Sequence, residues 1–146
     1  MRRLARVGAA PTTAPAGSPL TVLVMDDDPM VLETARMLLE SGGHRVITAR
    51  VLNELDSLVD CHQPDVVFID LNFENELSLP ALTRLRRRYS AEQLSVILSS
   101  GYCVDESTLE RLDASQLRKP WVGVSLRSAI EERAKHRQVS SSLCAR

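Results

Sequence analysis

Aromatic side chains are scarce in this chain: two Phe, two Tyr and one Trp among 146 residues. Whatever core it forms must be aliphatic. Cysteine is scarce as well. Cys61, Cys103 and Cys144 are odd in number and widely spaced, which argues against a disulfide framework and against a zinc site. His44, His62 and His136 show no ligand spacing either. No apolar stretch is long enough to span a membrane. The opening "MRRLARVGAAPTTAPAGSP" is basic but lacks a continuous apolar segment, so it makes a poor signal peptide. These absences together predict a cytoplasmic protein with no membrane contact.

Hydrophobic residues make up 44% and charged residues 25%, ordinary values for a globular protein. The length suits one domain with a real core plus tails. Net charge is −1, unevenly spread. Residues 21–120 hold 10 Lys+Arg against 17 Asp+Glu, a net of −7, while residues 1–20 and 121–146 contribute +3 each. The acidic centre argues against nucleic-acid binding by the domain, and the basic ends read as solvated tails.

Residues 1–19, rich in Ala, Pro, Thr and Gly, read as a flexible leader. Strand and helix signals then alternate. Strands are predicted at 21–25, about 45–49, 65–70, 94–100 and 114–118, the last with the weakest pattern. Helices are predicted at about 29–41, with Val31, Ala35, Leu38 and Leu39 on one face, at 53–61, across Leu79, Leu82 and Leu85 to the "RLRRRY" run, at 104–112 and at 122–137. Gly42-Gly43 ends the first helix. Residues 138–146 form a short polar tail. Five βα units of this kind predict a doubly wound parallel sheet of the flavodoxin-like type, strand order 2-1-3-4-5, within a domain spanning 20–137.

The run "VLVMDDDPM" places three like charges directly after a buried strand. Asp28 is explained locally, as the cap of a helix whose first position is Pro29. Asp26 and Asp27 are not. They lie at the carboxyl end of a strand, the edge where open parallel sheets bind ligands. Either they form a plain acidic loop, or a hard divalent cation such as Mg²⁺ neutralises them. Other strand ends carry Asp70, then Ser99-Ser100-Gly101, then Lys119-Pro120. Lys119 is one of only two lysines against sixteen arginines. Singly, each has a local explanation: a loop-capping Asp, a turn, a surface lysine. On consecutive βα units of this fold they would share one crevice.

These motifs resemble the receiver domain of bacterial response regulators in two-component signalling, over about residues 20–137. "VLVMDDDPMVLETARMLLESGGHRVITA" resembles the family's first strand, acidic pair and helix. "PDVVFIDLN" is similar to the segment with the phosphate-accepting aspartate, "SVILSSGY" to the segment ending in its Ser/Thr, and "LRKPW" to its Lys-Pro motif. The resemblance implies Asp70 as phosphoacceptor, with Lys119 and Ser100 contacting the phosphoryl group. It implies Mg²⁺ held by Asp26, Asp27, Asp70 and the backbone carbonyl of Asn72. It also implies a sensor histidine kinase or histidine phosphotransfer protein as donor, a downstream protein target, and a monomer or weak homodimer.

Departures from the family pattern are visible. After Asp70 the chain reads "LNFENELSLP", with Glu74 where proline is usual and Leu77-Ser78 where Asp-Gly is usual. Gln116 stands where the family often carries a rotating Tyr or Phe. Tyr102 occupies a position that the family uses to tune acyl-phosphate lifetime. No DNA-binding helices follow, so the sequence reads as a stand-alone receiver or one cut from a longer regulator. Two other readings compete: a phosphorylation-independent pseudo-receiver acting as an interaction module, and a Mg²⁺-dependent phosphatase, which would need a cap insertion that is not evident here.

Overall fold

The computed structural model describes residues 19–73 and 76–144, with side chains for 19–73 and 76–135. The strands are β1 (Thr21–Met25), β2 (Arg45–Ala49), β3 (Val66–Asp70), β4 (Asn72–Phe73), β5 (Glu76–Leu77), β6 (Ser95–Ser100) and β7 (Ala114–Arg118). The helices are α1 (Pro29–Ser41), α2 (Leu55–His62, entered through a 3-10 turn at Leu52–Glu54), α3 (Leu79–Arg88), α4 (Glu106–Leu112) and α5 (Gly123–Cys144). Residues 1–18 of the expected leader, Glu74, and residues 145–146 of the expected tail lie outside the described residues.

Five strands form one parallel sheet in the order β2-β1-β3-β6-β7. Setting aside the small hairpin β4–β5, this is the expected flavodoxin-like order 2-1-3-4-5. The hairpin pairs Asn72 with Leu77 and Phe73 with Glu76 and was not predicted. Two-residue strands are too short to display a periodicity.

Helices cover both faces of the sheet, so β1, β3 and β6 are buried along their whole length. One face packs Val22, Val24, Phe68 and Ile97 against Leu32, Ala35 and Leu39 of α1 and Leu126, Ile130 and Ala134 of α5. The other packs Leu23, Met25, Ile69 and Leu98 against α2, α3 and α4. Strand β7 lies at the edge and is only partly buried, which accounts for its weak sequence signal. Of the predicted stripe on α1, Ala35 and Leu39 are buried, and Leu32, which the prediction lacked, joins them in place of Val31 and Leu38. Both of those are half-buried at its flanks.

Two glycines set the entry and exit of helices. Gly43 turns the chain after α1 with φ of 92°, a conformation that strains any other residue. Gly123 starts α5 so close to α1 that an added Cβ would stand 2.7 Å from Leu38 Cδ2. His44 is structural. Its Nδ1 accepts the Leu20 N–H at 3.1 Å, which leaves the Nε2–H to donate to Glu131 at 2.9 Å. Arg86 ties four turns together. It donates to the carbonyls of Leu112 and Leu94 at 2.8 Å each and to those of Tyr89 and Asp113 at 3.3 Å.

Candidate functional site

At the carboxyl edge of the sheet, side chains from β1, β3 and β7 converge because adjacent parallel strands end side by side. Asp26 directly follows β1 and is 3% exposed. Its Oδ1 accepts the Asp28 N–H at 2.9 Å, and its Oδ2 lies 3.3 Å from Lys119 Nζ. Asp70 ends β3 with its Oδ2 3.4 Å from the same ammonium and its Oδ1 accepting the Asn72 N–H at 3.4 Å. Asp27 is half-buried beside them, and carboxylate oxygens of Asp26, Asp27 and Asp70 all fall within 4.8 Å of one another. Asp28 stands apart from this cluster. It caps α1 by accepting the Met30 N–H at 2.9 Å, as its place before Pro29 predicts.

Lys119 is fixed by its own backbone. Its N–H donates to the Ser100 carbonyl at 2.8 Å, and the Lys119–Pro120 peptide is cis. Burial pushes the Asp26 carboxyl up to about 6, and the neighbouring Asp70 charge adds to the effect, against the opposing influence of the Asp28 N–H and Lys119. Burial likewise raises Asp70, less the counteracting Lys119 charge. Burial pulls the Lys119 ammonium down, but the two carboxylates outweigh it and hold it above its ordinary value.

Among the described residues, three carboxylates and one ammonium give the cluster a charge of −2 in a partly buried pocket. A divalent cation balances that charge. Hard Mg²⁺ takes oxygen ligands at 2.0–2.1 Å, which puts opposite ligands of an octahedron about 4.2 Å apart. The carboxylate oxygens lie within 4.8 Å of one another, close enough to converge on one ion, and the donor set contains oxygen alone, so the residues fit Mg²⁺.

Ser100 ends β6, the strand beside the one that ends in Asp70, and its hydroxyl is bonded to groups outside the cluster. Its hydroxyl donates to the Tyr102 carbonyl and accepts from Gln116 Nε2 at 2.8 Å and from the Tyr102 N–H at 3.3 Å. Asn72 is brought to the opening by Asp70, and its Nδ2 donates to the Tyr102 hydroxyl at 3.3 Å. That contact joins the two loops flanking Asp70. Two features were missed by sequence reasoning. Ser99, the register partner of Asp70, is 2% exposed, and its hydroxyl has no hydrogen-bond partner among the described residues. An apolar groove of about 480 Å³, lined by Met30, Val31, Thr34, Pro120 and Trp121, opens beside Lys119.

The profile of the response regulator receiver domain matches residues 22–131. The probable C4-dicarboxylate response regulator DctR of Priestia megaterium is 28% identical over 115 residues, which cover 77% of this chain and 50% of that protein. The chain spans half or less of the length of the first curated relatives it matches. Among solved structures, NtrX of Brucella abortus superposes with a TM-score of 0.78 at 20% identity, covering 88% of this chain and 29% of NtrX. The chemotaxis response regulator CheY4 of Vibrio cholerae gives 0.71 at 17% identity, covering 80% and 99%. These likenesses carry the fold, and no helix among the described residues is long and apolar enough to cross a membrane. With the family profile spanning the whole sheet and every strand end just described, the chain belongs to the response regulator receiver domain family.

Proposed function

We propose that this receiver takes a phosphoryl group from a phosphohistidine onto Asp70, with Mg²⁺, and changes conformation to control a protein partner. The observation that carries the reading is the Asp70 carboxylate at the sheet edge, 3.4 Å from the Lys119 ammonium and clustered with the carboxylates of Asp26 and Asp27. A carboxylate is a weak nucleophile, so positioning and charge neutralisation must supply most of the rate. In the transfer, a carboxylate oxygen of Asp70 forms a bond to phosphorus as the bond from phosphorus to the donor imidazole nitrogen breaks. That nitrogen keeps the electron pair. Lys119 already faces Asp70 and would pair with a phosphoryl oxygen as a compact cation. Asp26, Asp27, Asp70 and the Asn72 carbonyl would hold Mg²⁺, which when bound offsets the charge on the phosphoryl oxygens. The donor is a sensor histidine kinase or a histidine phosphotransfer protein.

The test is intact mass after incubation with Mg²⁺ and acetyl phosphate, for wild type and Asp70→Asn. A single phosphoryl adduct on wild type, absent from the variant and labile to hydroxylamine, is the expected result. No adduct from acetyl phosphate or from a cognate kinase, with Mg²⁺ still bound, refutes it. One observation favours a second reading, the pseudo-receiver: the Ser100 hydroxyl is fully engaged by the Tyr102 backbone and by Gln116 of β7. That reading predicts partner binding unchanged by Asp70→Asn.

A further inference from the structure

Gln116 sits in β7 on the far side of the Ser100 loop from Asp70, and every polar hydrogen of its side chain is used. Its Nε2 donates to Ser100 Oγ at 2.8 Å and to the Tyr102 carbonyl at 2.6 Å, while its Oε1 accepts the Val104 N–H at 2.9 Å. This pattern fixes the amide orientation. Val104 N–H can only donate and the Tyr102 carbonyl can only accept, so the reversed amide would set like against like at both. Ser100 is equally saturated. It has one hydrogen, given to Tyr102, and two lone pairs, facing Gln116 and the Tyr102 N–H.

We propose that Gln116 is a positioning residue that latches Ser100 away from the phosphoryl site, so that β7 registers phosphorylation through loss of a hydrogen bond and not through rotation of a ring. The inference rests on the phosphoacceptor reading of Asp70. For Ser100 to donate to a phosphoryl oxygen, its hydroxyl must leave the Tyr102 carbonyl. The Gln116 Nε2–H that pointed at Ser100 Oγ then loses its acceptor. The bonds from Gln116 to Tyr102 and Val104 can persist, because both are to backbone atoms. The latch therefore opposes the active arrangement and, once broken, leaves one unpaired donor on strand β7, next to α4. Gln116 is half-buried, so water reaches that donor and limits the cost.

The experiment is calorimetric titration of the Mg²⁺-loaded protein with beryllofluoride, which stands in for a phosphoryl group on a carboxylate. The proteins are wild type, Gln116→Leu, Ser100→Ala and the double variant. Gln116→Leu is expected to bind about tenfold more tightly than wild type, a change equal to about 1.4 kcal/mol, the scale of one net hydrogen bond. In the Ser100→Ala background the same substitution should change affinity by less than about twofold, because the latch acts only through that hydroxyl. A residue that merely holds the loop would leave affinity unchanged or lower it. Failure of wild type to bind beryllofluoride overturns the phosphoacceptor reading and the latch with it. Binding by wild type with no gain in Gln116→Leu, or a gain that persists without Ser100, overturns the latch alone. Should Gln116→Leu fold poorly, the wild-type Gln116 side-chain amide resonances decide. One proton of the pair is expected to exchange faster with water on adding beryllofluoride, and an unmoved pair refutes the latch.

Discussion

Replacing Asp26 by Asn is expected to stabilise the metal-free protein while removing its response to Mg²⁺. The folded-state carboxyl titrates at about 6, against 3.8 when unperturbed, because it is buried beside Asp70. Between those values the native state holds a proton that the unfolded state has released. Stability therefore falls as pH rises through about 4 to 6, then levels off. The full difference is worth about 3 kcal/mol, and Asp26 is too buried for solvent to screen much of it. Asn keeps an oxygen for the Asp28 N–H but turns its Nδ2 toward the Lys119 ammonium, donor against donor, so the net gain at pH 7.5 is about 1–2 kcal/mol. That corresponds to a Tm rise of roughly 4–8 °C, and at pH 4 the two proteins should be nearly equal. Mg²⁺ reverses the order. At a hundred times its Kd it should add about 2.7 kcal/mol to wild type at pH 7.5, and the increment should fade below about pH 6 as Asp26 protonates. Thermal unfolding in EDTA and in Mg²⁺ across pH 4–8 measures all of this. If Asp26→Asn is less stable than wild type at pH 7.5 in EDTA, the crowding of charge is not a cost to the fold and the argument for a cation fails.

Arg86→Met should destabilise by about 2–4 kcal/mol in urea unfolding, since it strips a charged donor from four carbonyls; a loss under 1 kcal/mol would show that water replaces it. Ser99→Ala should be neutral or stabilising by up to about 1 kcal/mol, because it removes a buried hydroxyl without a partner among the described residues; a clear loss of stability would mean that the hydroxyl is satisfied in solution. Tyr102→Ala, by opening the Asn72–Tyr102 contact beside Asp70, should shorten the acyl-phosphate half-life several-fold in a decay assay, and an equal or longer half-life refutes a shielding role. Trp121, packed edge-on against Phe68 with ring centroids 5.7 Å apart and two residues from Lys119, should change fluorescence with Mg²⁺ in wild type and not in Asp27→Ala.

What the sequence could and could not disclose follows from the range of each interaction. The central strands were legible because a strand buried on both faces must be apolar throughout, as Thr21–Met25 and Val66–Asp70 nearly are. The Asp28 cap was legible because a cap acts within two residues. Asp26, Asp27, Asp70 and Lys119 were legible as a group only because topology brings the ends of parallel strands together. Their convergence was thus inferred through the fold and not from any one motif. Strand β7, at the sheet edge, has one covered flank and little pattern, and Lys119-Pro120 just after it was the better signal.

The response of Ser100 depends on contacts of another kind. Gln116 reaches backbone atoms and a hydroxyl 12 to 16 residues away. Nothing in the local spacing distinguishes such a glutamine from a solvated one on an edge strand. In the sequence it registers only as a missing aromatic, an apparent loss of a switch. Its three hydrogen bonds reverse that inference. A Phe ring in this place has nothing to donate and a Tyr ring carries its one donor at its far tip, whereas an amide can hold the hydroxyl in the resting arrangement and the Tyr102 carbonyl with it. Replacing a ring by an amide therefore moves the control of Ser100 from the packed interior to a set of hydrogen bonds that water can compete for. If so, the balance between the two arrangements in this receiver should be set near one hydrogen bond's worth of free energy, about 1 kcal/mol, and should respond to Gln116 more than to any change in the aliphatic core beneath it.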